Sequence, residues 1–188
     1  MIPVFVLSLP RSRTAWLATY LNHGNVFAFH EAFKLVKTVK QLRVLMESKS
    51  KHGGPVVNVD CSNWFFLKEL QAEFPDALYI RIDRDAREVE ASARESFGPQ
   101  DYTVMFEAYQ RAIDTSLVCA ALVVDFARWH ADESRNIWNL VTGGDVMDSD
   151  WHRQMHDLWI QLTPDAVREE LRMGDAGELL HLSRRMVA

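Results

Sequence analysis

Ile2-Pro3-Val4-Phe5-Val6-Leu7-Ser8-Leu9-Pro10-Arg11-Ser12-Arg13-Thr14-Ala15-Trp16-Leu17 decides how the rest of this chain is read. Pro3 to Leu9 is a short apolar run rich in Val and Leu, the pattern of a strand buried on both faces. Pro10 stops it. Thr14 to Leu21 then places Leu17 and Leu21 four apart, on one face of a helix. A strand that delivers a tight turn to a helix N-terminus makes an anion site. Free backbone N–H groups and the positive end of the helix dipole converge there. Arg11 and Arg13 add full charges, so the expected ligand is a phosphate or sulfate group. The loop is not the nucleotide-triphosphate motif G-x-x-x-x-G-K-S/T, because it has neither glycine and no lysine before its hydroxyl residue.

Pro10-Arg11-Ser12-Arg13-Thr14-Ala15-Trp16-Leu17 resembles the 5′-phosphosulfate loop of the sulfotransferases that use 3′-phosphoadenosine 5′-phosphosulfate (PAPS), P-K/R-S-G-T-T/S-W-L. Two positions depart from that pattern: Arg13 replaces the glycine and Ala15 the second hydroxyl residue. A second segment fits the same family. Ala77 to Ile82 reads as a strand that runs into Arg84-Asp85-Ala86-Arg87-Glu88-Val89, with Ser92 eight positions after Arg84. In sulfotransferases a strand ends in R-D-P-R-D/E-V, and the first Arg and the following Ser bind the donor's 3′-phosphate. Arg offers a planar fork to phosphate and a hydroxyl adds a donor. The resemblance covers about Ile2 to Ser96, and more weakly Leu122 to Phe126.

The resemblance implies an α/β fold in three layers: a mainly parallel central sheet flanked by helices, with a P-loop-type anion site after the first strand. It implies that Arg11, Ser12, Arg13, Thr14, Ala15, Trp16, Arg84 and Ser92 bind PAPS, with PAP as product and no metal. Trp16 would lie near the adenine or else in the core. Arg11 would clamp the charge that develops during sulfuryl transfer. Glu31, twenty residues after Arg11, and its neighbour His30 are the candidate bases. The alternative is that the pair caps the following helix. The acceptor would be a hydroxyl or amine of a small molecule or glycan. Cys61 stands where heparan-type members carry a catalytic Lys, so either Asp60 takes a polar role at that strand end or the site works with fewer cations. Two other readings compete: a P-loop phosphotransferase or kinase using ATP, and a non-catalytic nucleotide-binding relic of the same fold.

At 188 residues the chain is expected to be one domain, 1–188, with a helical cap over about 145–188. The net charge of −5 argues against a nucleic-acid partner, so the basic residues are read locally. Two cysteines, Cys61 and Cys119, are too few for a disulfide scaffold and read as reduced thiols. With no basic leader and no membrane-length apolar run, the expected setting is the cytoplasm, without membrane association. The oligomeric state is not legible. His152 and His156, four apart without a third ligand, read as a polar helix face rather than a metal site.

Further strands are expected at Val26–Phe29, Pro55–Val59 and Ala120–Val124. Helices are expected at Phe33–Ser48, Asn63–Phe74, Arg87–Ser96, Thr103–Ser116, from Asp125 to Val141, at Trp151–Ile160 and at Pro164–Met173. Strands alternating with helices are the signature of a parallel α/β sheet.

Overall fold

The computed structural model describes residues 1–50 and 53–157. The helix expected over 164–173, the end of that expected over 151–160, and the part of the expected cap from 158 on lie outside the described residues. Five strands, β1 (Ile2–Ser8), β2 (Phe27–His30), β3 (Pro55–Val59), β4 (Leu78–Asp83) and β5 (Leu122–Asp125), form one sheet in the order β2-β3-β1-β4-β5. Every pairing is parallel. Seven helices flank it among the described residues: α1 (Thr14–Leu21), α2 (Val39–Lys49), α3 (Leu67–Glu73), α4 (Ala86–Phe97), α5 (Thr103–Asp114), α6 (Ala131–Thr142) and α7 (Ser149–Asp157). The expected α/β class is therefore the observed one.

The period of two along each strand sorts side chains onto the two faces of the sheet. Val4, Val6, Val57, Val59, Ile80 and Ile82 pack with Trp16, Leu17 and Leu21 of α1, Ile137 and Val141 of α6 and Met155 of α7. Phe5, Leu7, Val56 and Tyr79 face the other way, onto Leu42 and Met46 of α2, Leu70 of α3, Val89 of α4 and Tyr109 of α5. Covering on both sides explains why the strands read as nearly continuous apolar runs.

Three helices are shorter than periodicity suggests, each because a polar side chain claims the backbone first. The segment expected to be helical from Phe33 instead holds a 3-10 turn at Ala32–Lys34, and α2 starts only after Thr38, whose side chain accepts from the Gln41 N–H. Leu35 is consequently exposed. Asp60 caps a second 3-10 turn, Cys61–Trp64, so α3 begins at Leu67 rather than near Asn63. Asp125 caps a third, Phe126–Arg128, and His130 and Glu133 form a capping box that starts α6. Gly143, at φ 74°, ends α6 in the left-handed conformation that glycine adopts at little cost.

The strand order has a functional consequence. The connection after β1 leaves toward β2, whereas that after β4 leaves toward β5 on the other side of the sheet. Such a divergence opens a crevice at the carboxyl ends of the two strands, where ligands of open α/β sheets bind. Arg11 follows β1 and Arg84 follows β4.

Candidate functional site

A cleft of about 1020 Å³ opens at this crevice, within the size range of small-molecule sites. Its lining includes Arg11, Arg13, Thr14, Ala15 and Trp16 from the loop and α1, His30, Glu31 and Lys34 from the end of β2, and Arg84 and Ser92 from the β4–α4 unit. Ser12 does not line it. Its side chain is fully buried, and the hydroxyl has no partner among the described residues.

Strain concentrates here. Among the described residues three non-glycine residues have positive φ, Arg11 (63°), Arg13 (57°) and Glu31 (58°), and all three line the cleft. A left-handed non-glycine residue costs on the order of 1–3 kcal/mol and persists only where its surroundings impose it. Arg13 thus takes without glycine the conformation for which glycine is best suited. Around Ser12 the sign of φ alternates, the arrangement that turns successive N–H groups toward one anion. Those donors stand at the N-terminus of α1, which begins with no side-chain cap.

The arginines meet one another and α4. Arg84 Nη1 donates to the Arg11 carbonyl, which fixes the loop to the end of β4. Arg11 Nε donates to Ser92 Oγ at 3.3 Å and its Nη2 to Ser96 Oγ at 2.6 Å. Arg84 also lies over the Phe126 ring at 4.0 Å, with its Nε 3.7 Å from a Glu88 carboxylate oxygen. Burial, then the nearby Arg84 charge, push the Arg11 guanidinium below the usual arginine range, and Glu95 works against them. Burial alone lowers Arg13. Burial lowers Arg84 too, and Glu88 partly offsets it. Partly desolvated cations without a full counter-charge favour an incoming anion.

Opposite them, His30 is buried and its Nε2 lies 3.1 Å from Thr14 Oγ1, while Nδ1 has no partner among the described residues. Burial pushes its pKa down, against the charge of Glu31. Glu31 forms an ion pair with Lys34, three residues on. Burial works to raise the Glu31 carboxyl, but the charges of His30 and Lys34 and the Lys34 hydrogen bond outweigh it, so it lies below the usual range. The left-handed turn at Glu31 is held from β3. Ala32 N–H donates to Asn58 Oδ1, Phe33 N–H to Asp60 Oδ2 and Glu31 N–H to the Val59 carbonyl. Asn58 in turn donates to Asn63 Oδ1, and Asn63 to the carbonyls of Val6 and Asn58. Asp60 therefore has a polar role at the strand end.

Cys61 lines the cleft and accepts from the Tyr109 hydroxyl at 3.1 Å, and burial first of all pushes its thiol up to about 12. It is no thiolate nucleophile at neutral pH.

Trp16 is a core residue. It is 1% exposed, stacks on Tyr20 at 11°, carries the Arg13 guanidinium 4.9 Å from its ring centroid and donates Nε1–H to the Met155 carbonyl. An adenine has no clear face of this ring to stack on. His152 departs from expectation as well. It is buried rather than on a polar face, with Nδ1 2.9 Å from the Tyr20 hydroxyl, and the His156 ring packs edge-on against Trp16. No group of three His, Cys, Asp or Glu side chains able to hold a metal comes together among the described residues. No helix there is long and apolar enough to cross a membrane.

Sequence reasoning missed Lys34, Ser96, Glu88, Glu95 and Phe126. Four of them carried a helical-spacing signal: Lys34 follows Glu31 by three residues, Glu88 follows Arg84 by four, Glu95 follows Ser92 by three and Ser96 follows Ser92 by four. No protein-family model matches the chain, and no curated protein sequence matches it.

Proposed function

We propose that the cleft binds PAPS and transfers its sulfuryl group to a hydroxyl or amine of a small molecule or glycan. One observation carries the reading. Arg84 and Ser92, assigned to the 3′-phosphate from sequence, both reach Arg11, assigned to the 5′-phosphosulfate. The two phosphate subsites are then contiguous, as a single bis-phosphorylated nucleotide requires.

In this reading the loop N–H groups, Thr14 and Arg11 hold the 5′-phosphosulfate, and Arg84 and Ser92 hold the 3′-phosphate. Arg11 keeps its proton and acts as a charge clamp, since guanidinium does not donate readily. The acceptor oxygen or nitrogen forms a bond to sulfur as the bond from sulfur to the phosphate oxygen breaks. PAP leaves with that electron pair. The acceptor's proton goes to Glu31, which is ionised at neutral pH and so able to take it, or to neutral His30. Lys34 supplies a cation in a cleft where position 61 is a cysteine.

Thermal shift with PAP, with ATP plus Mg²⁺ and with AMP tests the donor class. A Mg²⁺-independent rise larger for PAP than for AMP is expected, and a rise only with ATP plus Mg²⁺ would make the protein a phosphotransferase instead. Arg13, Ala15 and Cys61, in place of a glycine, a hydroxyl residue and a lysine, favour one second reading, a nucleotide-binding relic. A screen with sulfur-labelled PAPS against sugars, phenols, lipids and peptides separates the two, because the relic binds PAP and labels nothing.

A further inference from the structure

The helix that closes the cleft carries carboxylates on the wall that is to receive an anion. Glu88, Ser92 and Glu95 line the cleft from α4, at spacings of four and three that keep them on one helical stripe. Glu88 and Ser92 each engage a cation: Glu88 Oε2 lies 3.7 Å from Arg84 Nε, and Ser92, with Ser96, accepts from Arg11. Glu95 makes no ion pair among the described residues, but it lines the cleft between those two serines and its charge acts on Arg11. Glu90, on the same helix but outside the cleft, pairs instead with Arg94 at 2.7 Å.

From this arrangement we infer that Glu88 is a built-in counter-ion which a phosphate at Arg84 must displace, that Glu95 is a like charge which a phosphate at Arg11 must approach, and that the two set the selectivity of the cleft between nucleotides with one and with two phosphate groups. Glu88 guards Arg84, so only a ligand that brings a second phosphate to Arg84 has to displace it. Glu95 lines the cleft from the same helix whose serines bind Arg11, so any ligand with a 5′-phosphate meets its like charge. A like charge beside the incoming phosphate opposes binding, and removing the charge while keeping the amide's shape removes that opposition. The assignment of the two phosphates rests on the PAPS reading. The displacement and the repulsion themselves rest only on the Glu88–Arg84 ion pair and on the place of Glu95 in the cleft wall.

Dissociation constants for PAP, AMP and inorganic pyrophosphate, measured calorimetrically at one ionic strength on the wild type, Glu88→Gln, Glu95→Gln and Glu90→Gln, test it. Glu88→Gln is expected to tighten PAP by roughly twofold to fivefold, the range that exposed ion pairs are worth, and to leave AMP unchanged. Glu95→Gln should tighten both. Glu90→Gln controls for the general loss of one negative charge and should change neither. The inference is overturned if Glu88→Gln and Glu95→Gln bind PAP as the wild type does or more weakly, or if Glu90→Gln tightens PAP as much as they do. Equal tightening of AMP and PAP by Glu88→Gln overturns the assignment of Glu88 to the second phosphate. If the wild type binds PAP no better than AMP, the donor reading fails, and pyrophosphate decides the displacement separately. Tighter pyrophosphate binding in both variants upholds it, and unchanged or absent binding ends it.

Discussion

Arg11 and Glu31 share a backbone conformation that neither side chain favours, and both face the same cleft. Arg11→Ala removes two hydrogen bonds to α4 as well as a charge at the anion loop. If the charge clamps the transferring group, turnover should fall by the equivalent of about 3–4 kcal/mol, as when a preorganised donor is lost. PAP affinity should fall with it. A variant with unchanged turnover and affinity would remove the sulfotransferase reading. The base is decided by a pair of variants. Glu31→Gln should slow turnover roughly 10²–10⁴-fold with little change in PAP affinity, the contribution of a positioned base. Either candidate predicts an acid limb. Glu31 lies below the usual carboxylate range, so its acid limb falls at low pH. Burial lowers His30 from its ordinary value as well, which moves its limb to lower pH, so the variants and not the position of the limb assign the base. A limb abolished by His30→Ala and not by Glu31→Gln would give the role to His30.

At the scale of elements, the end of β3 acts as a clamp on the end of β2. Asn58, Asp60 and Asn63 are all buried, and their side chains take up backbone groups of the Glu31–Phe33 turn and of β1. Asn63→Ala leaves the Val6 carbonyl and the Asn58 amide without their partner. Each buried polar group so orphaned costs on the order of 1–3 kcal/mol. Melting temperature should fall by about 2–4 °C for each kcal/mol lost, and the Glu31 turn should gain hydrogen exchange while α6 keeps its protection. An Asn63→Ala protein as stable as the wild type would show that the network does not hold the turn. On the opposite face α7 is strapped to α1: Trp16 Nε1–H donates to the Met155 carbonyl and Trp151 Nε1–H to that of Tyr20. The helix that presents the anion loop is thereby fixed from behind.

For the molecule as a whole, the histidines set an acid boundary. Burial lowers the pKa of His30, His152 and His156. A histidine kept neutral in the fold and free to charge when unfolded makes the unfolded state bind more protons below its ordinary pKa. Stability is therefore complete above about 6.5 and falls as pH drops below it. Melting temperature should decline between pH 7.5 and 5.5, and His152→Gln should flatten the decline. A melting temperature constant over that interval would contradict the linkage. Glu31 acts in a lower window. Its depressed carboxyl contributes stability above the ordinary carboxylate range, and that contribution is lost only as pH falls toward its folded value.

Local rules were enough for the strands. A run such as Pro3 to Leu9 must be buried on both faces whatever packs against it, so β1, β3 and β4 could be read within a residue or so, and with them the parallel sheet. The cationic loop between strand and helix was equally local. Helix starts failed wherever Asn58, Asp60 or Asp125 claimed backbone N–H groups, because periodicity records which side chains face the core and not which N–H groups are already taken. The same limit applies to the cleft. Arg11 meets Ser92, Ser96 and Arg84 across separations of 73 to 85 residues, brought together by the divergence of the β1 and β4 connections. Whether Trp16 faced a ligand or the core depended on Tyr20 and Met155 arriving at its ring. The sequence by itself determined the sheet and the charge of the loop, since burial and backbone sterics act over a few residues. Only the tertiary structure decided which cations share one cleft and which carboxylates line it with them, since Coulomb and hydrogen-bond partners are set by distance in space.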